Sequence, residues 1–94
     1  MPVSILVKHN LAMPLDDAVL LLSRKLFCVL SNNLLLVESF EGADGSNVRI
    51  VVKEKDDDVI EAILKVVSDV ENELGVVGLI FPDIVTQDEI RRLS

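Results

Sequence analysis

The only histidine of the chain, His9, is followed by Asn10 and, a short way on, by Asp16 and Asp17. An imidazole with a carboxylate partner can act as a general base or a phosphate acceptor near neutral pH. His9, Asn10 and Asp16 are therefore the candidate ligand-binding residues. A solvated loop histidine accounts for the same three residues without any ligand.

Other chemistry fails on inspection. Asp56, Asp57 and Asp58, with Asp83 further on, are oxygen donors of the type that Mg²⁺ and Ca²⁺ use. Consecutive residues entering a helix point in different directions, however, and helix capping explains all three. The single cysteine, Cys28, excludes an internal disulfide and a Cys-cluster zinc site. Late in a helix it lacks the N-terminal field that activates a thiol, so a small buried side chain is expected. The glycines match neither the G-x-x-x-x-G-K-S/T phosphate loop nor the G-x-G-x-x-G fingerprint. No serine stands in a G-x-S-x-G turn. No catalytic residue, metal or cofactor is indicated.

Charge narrows the partners. Sixteen acidic and nine basic residues give a net charge of −7. Phosphate neutralisation dominates nucleic-acid affinity, so this field argues against DNA or RNA. A patch of Lys8, Arg49, Lys53 and Lys55 is what a nucleic-acid accessory role would need. The apolar stretch 18–37 is interrupted by Ser23-Arg24-Lys25 and Ser31-Asn32-Asn33, too polar for a bilayer span of about 20 residues. Residues 1–4 lack a charged signal-peptide start. A cytoplasmic protein without membrane contact is expected, and heavy Val, Leu and Ile use with scarce Gln suits a thermophilic source.

The elements that must position these residues follow from periodicity. Val3, Ile5 and Val7 alternate with Ser4, Leu6 and Lys8, which predicts a strand over residues 3–8. A helix is expected over 14–30, with Pro14 in its first turn and Leu15, Ala18, Val19, Leu22, Leu26, Val29 and Leu30 as its apolar stripe. Asn32-Asn33 suits its end. Residues 34–40 read as a strand, 41–47 as a turn-rich loop, and 48–55 as a second strand with period two, which together make an antiparallel hairpin. A second helix starts at Asp56-Asp57-Asp58, buries Ile60, Ile63, Leu64, Val67, Val70 and Leu74, and stops at Gly75. Residues 76–81 are apolar at almost every position and predict a last strand. Thr86 and Glu89 form a capping box for a short terminal helix.

That order, over a single α+β domain spanning 1–94, predicts a ferredoxin-like βαββαβ plait. Its four-stranded antiparallel sheet would carry two helices on one face and a short C-terminal helix. The alternative is a three-layer doubly wound α/β sheet, supported by the apolar last strand. Half of the residues are hydrophobic, more than a chain of 94 residues readily hides. The bare sheet face, or an edge strand, is then a surface for a homodimer, with Leu6, Leu36, Val51 and Phe81 as interface candidates. The expected function is a non-catalytic, self-associating regulatory or assembly module. A small-molecule or enzymatic site near His9 and Asp16 is the second expectation, and the nucleic-acid role the third.

Overall fold

Asp56 ends an extended segment, and its carboxylate accepts a 2.9 Å hydrogen bond from the Val59 amide. That cap starts helix α2 (Asp57–Leu74), with Asp57 and Asp58 in the favourable first turn. Gly75 closes the helix at φ 71°. Its amide bonds to the Asn72 carbonyl and the Val76 amide to that of Glu71, the Schellman arrangement. Ile63, Val66, Val67 and Val70 form the buried stripe, while Leu64 and Leu74 of the expected set face outward.

The computed structural model describes the backbone of residues 2–93 and the side chains of residues 15–92. Helix α1 (Pro2–Leu30) and a 3-10 turn (Ser31–Asn33) precede strand β1 (Leu34–Ser39). Strand β2 (Val48–Val52), α2, strand β3 (Pro82–Thr86) and helix α3 (Gln87–Leu93) complete the order. The sheet runs β1-β2-β3, with β1 antiparallel to β2 and β3 parallel to it. Val48, Ile50 and Val52 of β2 turn one face towards Ala18, Leu22 and Leu26 of α1 and the α2 stripe, forming the core with Ile80. Val51 and Val85, register partners on the other face, are also buried.

The four-stranded plait is not what this chain forms: the fold is α+β with a three-stranded mixed sheet and three helices. Neither the first nor the last expected strand stands where the periodicity puts it. Residues 3–8 belong to α1. Val3, Val7 and Leu11 fit a helical period as well as Val3, Ile5 and Val7 fit a strand, and a short apolar run does not decide between them. Residues 2–13 hold no glycine, and Leu, Lys, Ala and Met favour the helix. The helix continues through Pro14, which supplies no N–H to the ladder.

The last strand lies further along than expected, at Pro82–Thr86, and is parallel to β2. Gly78 (φ 68°) breaks the apolar run 76–81, and Val77 is 97% exposed. Both α1 and α2 meet one face of the sheet, so the doubly wound alternative falls with the plait. The hairpin, α2 and the terminal helix stand where the sequence puts them. The left-handed residue after α1 is Ser31 (φ 50°), in place of Asn32 or Asn33.

Candidate functional site

The residues named for a ligand all fall on helix α1. His9 and Asn10 lie in the first half of α1, where a loop was expected, and their side chains are outside the described residues. Asp16, two helical turns or about 10 Å further along, is exposed. Among the described residues no group of three or more His, Cys, Asp or Glu is arranged to hold a metal ion. Cys28 is exposed on α1, in contrast to the buried thiol expected, because it lies off the stripe formed by Ala18, Leu22 and Leu26.

The interface candidates separate into three places. Leu6 is in α1, its side chain outside the described residues. Leu36 and Val51 are register partners across β1 and β2, yet Leu36 is 45% exposed while Val51 is 3% exposed. Val51 therefore lies beneath the surface. Phe81, half exposed, borders an open recess of about 470 Å³ with Asp44, Gly45, Ser46 and Pro82. The Asp44 carboxylate there accepts from the Ser46 hydroxyl at 2.7 Å and the Ser46 amide at 3.1 Å. These bonds, the hydroxyl first, hold the Asp44 carboxyl below its ordinary value. An ionised carboxylate already occupied in this way is a turn lock and a weak base.

Two ion pairs tie β2 and its exit to β3 and α3. Arg49 places Nε 3.3 Å from Asp83 Oδ2, across β2 and β3, and lays its guanidinium 4.3 Å from the centre of the Phe40 ring. Lys55 reaches Glu89 Oε1 at 2.9 Å and donates to the Ile84 carbonyl at 3.1 Å. Glu89 also closes the expected capping box, its carboxylate on the Thr86 amide at 3.2 Å and its own amide on Thr86 Oγ1. The Lys55 ammonium, then the Thr86 amide, keeps the Glu89 carboxyl below the ordinary 4.5. Arg49 and Lys55, two of the four bases considered for phosphate, are thus spent on internal ion pairs.

Among the described residues, the two margins of the sheet differ. Along β3, Pro82 has no N–H, Asp83 is charged, Lys55 covers the Ile84 carbonyl, and α3 begins at the next residue after the strand. These are the devices that stop a strand from recruiting another. Along β1 the sequence is Leu-Leu-Leu-Val-Glu-Ser, without proline or a basic residue. A bulge at Leu35 interrupts its first half, and Leu35 and Leu36 are 40% and 45% exposed.

Sequence reasoning missed two asparagines and a glutamate that extend the strands with side chains. Asn33 Oδ1 accepts from the Glu54 amide and Nδ2 donates to the Glu54 carbonyl, lengthening the β1–β2 pairing. Asn47 does the same to the lead-in of β3: Oδ1 accepts from the Phe81 amide and Nδ2 donates to the Leu79 carbonyl. Glu71 Oε2 accepts from the Leu79 and Ile80 amides at 2.7 and 2.9 Å. A turn-favouring Asn just before β1 and just before β2 is the local signal that pointed to the two asparagines, and nothing local pointed to Glu71. No helix among the described residues is long and apolar enough to cross a membrane. No family model, no curated protein and no solved structure matches this chain.

Proposed function

We propose that this protein is a non-catalytic assembly module whose working state is a homodimer, formed at the β1 margin of its sheet. The observation that carries the reading is the asymmetry of the two edges. β3 is closed off by Pro82, Asp83 and Lys55, whereas β1 keeps an apolar, unguarded stretch with Leu36 exposed. An open strand edge offers a row of amides and carbonyls that a second strand satisfies, and apolar side chains beside it add association energy. A free, exposed Cys28 suits a reducing compartment, and a cytoplasmic location belongs to the same reading.

The test is the solution mass by light scattering after size exclusion, over a concentration series at two salt levels. A net charge of −7 on each copy opposes association, so added salt screens the repulsion and tightens the dimer. A mass of twice 10.4 kDa that falls towards one chain on dilution is expected. A monomer at every concentration and salt level overturns the proposal.

A further inference from the structure

The register of the hairpin fixes which backbone groups of β1 are free. The Phe40 amide donates to the Asn47 carbonyl at 3.1 Å, so these two residues face each other as a hydrogen-bonded pair. Antiparallel pairs alternate between bonded and non-bonded. Glu38 opposite Arg49 and Leu36 opposite Val51 are then in the ladder. Val37 opposite Ile50 and Ser39 opposite Val48 are non-bonded, and turn their N–H and C=O to the open margin.

A second feature lies on the same margin. Helix α1 packs against β1 as well as α2, and Lys25 marks the side of α1 facing α2 through its 3.5 Å contact with Glu73. At about 100° per residue, Phe27 is 200° onward, or 160° away, and Leu20 is 500° back, or 140° away. Leu20 and Phe27, 54% and 65% exposed, therefore sit on the flank of α1 opposite α2. An extended peptide added to β1 leaves that flank bare. A second copy carries its own strand and its own α1, and covers both.

Resting on the dimer reading above, the geometry points to an antiparallel β1–β1′ contact with its two-fold axis at Val37. The result is a continuous six-stranded sheet, β3-β2-β1-β1′-β2′-β3′, with Leu20 and Phe27 of each α1 at the seam. Charge separates this register from the next one along. An axis at Val37 pairs the margin-facing groups of the two Val37 residues, sets Leu36 opposite Glu38 of the partner copy, and brings Ser39 opposite the bulge at Leu35 of the partner copy. An axis at Glu38 would bring two carboxylates face to face, which is destabilising.

Cross-linking tests the register, in a Cys28→Ser background. With the Val37 pair bonded, Leu36 and the partner's Glu38 form a non-bonded pair with Cα atoms about 4.5 Å apart, within disulfide range. Mixed Leu36→Cys and Glu38→Cys copies should therefore cross-link on mild oxidation, at least tenfold more than Glu38→Cys alone. Ser39→Pro, which removes a margin-facing N–H and no ladder bond, should give a monomer with unchanged helical circular dichroism. Phe27→Glu, at an exposed position, should weaken the dimer roughly tenfold with the melting temperature of the monomer unchanged. Efficient cross-linking of Glu38→Cys alone, or a dimer that shows no 36–38 cross-link, overturns this register and leaves self-association standing. Monomeric wild-type protein overturns both.

Discussion

Strand β3 starts with a proline, carries an aspartate next and has a lysine ammonium on its Ile84 carbonyl. Strand β1, at the opposite margin of the same sheet, has four consecutive apolar residues and one glutamate. Both strands pair with β2 and neither is long, so the difference lies in what each offers on its outer side. β3 enters and leaves the sheet under the control of polar side chains: Glu71 and Asn47 before it, Lys55, Thr86 and Glu89 after it. Among the described residues, β1 has the bulge at Leu35 and the charge of Glu38 to limit it. A chain with one closed and one open edge can pair once and stop, which gives a dimer where two open edges would give a filament.

The strongest way to break this comparison is through the strand between the edges. Val51 reads as a surface residue in sequence, yet it is buried beside its register partner Val85. Val51→Asp should cost on the order of 4 kcal/mol or more, because it buries a carboxylate without a partner. Circular dichroism and urea denaturation should find it largely unfolded. A folded, monomeric Val51→Asp would mean that this face is open after all.

The next effect concerns how the guarded edge is held. Glu71→Ala removes an acceptor shared by the Leu79 and Ile80 amides, and should cost about 2–4 kcal/mol in urea denaturation. Hydrogen exchange of the Leu79 and Ile80 amides should speed up more than that of the α2 amides. Equal acceleration in both would mean that Glu71 supports the fold as a whole and has no special hold on the entry to β3.

Opening the guarded edge sharpens the contrast in the other direction. Lys55→Ala removes the contact to Ile84 and the partner of Glu89, a surface pair that contributes little to stability. Combined with Pro82→Val, it frees the Ile84 carbonyl as an acceptor and adds an N–H donor at the start of β3. Light scattering should then find species beyond the dimer, growing with concentration. A variant that stops at the wild-type mass would show that Pro82 and Lys55 do not limit assembly.

The smallest effect is in pH. The folded-state carboxyls of Glu89 and Asp44 are held below their ordinary values of 4.5 and 3.8. The stability they contribute is therefore complete above those values and is lost as pH falls through the lower folded-state ones. Urea midpoints should be insensitive to these groups from pH 7 to about pH 5.5 and decline below 4.5. Glu89→Gln should make the decline shallower. An identical decline in that variant would assign the pH dependence to other carboxylates.

Much of α2 was legible because its limits are set by its own residues: Asp56 caps it, Gly75 stops it, and Ile63, Val67 and Val70 mark one face. The hairpin and the Thr86–Glu89 capping box were legible for the same reason. The outer elements were not. Residues 3–8 satisfy a helical and a strand period equally. Residues 76–81 look like a buried strand in composition, while side chains distant in sequence, Glu71 and Asn47, take up their amides. Of the proposed interface, Leu36 could be picked out as an outward-facing apolar residue. The guards on β3 could not, since Lys55 and Ile84 meet only once the parallel pairing is formed.

The measurement closest to the central claim is amide hydrogen exchange of the unmodified protein, followed residue by residue at low and high concentration. Val37 and Ser39 should become protected as concentration rises, in step with the dimer fraction, while the Phe40 and Lys53 amides, bonded within one chain, change far less. Rapid, concentration-independent exchange at Val37 and Ser39, or protection that appears along β3 instead, would contradict an assembly built on the β1 edge.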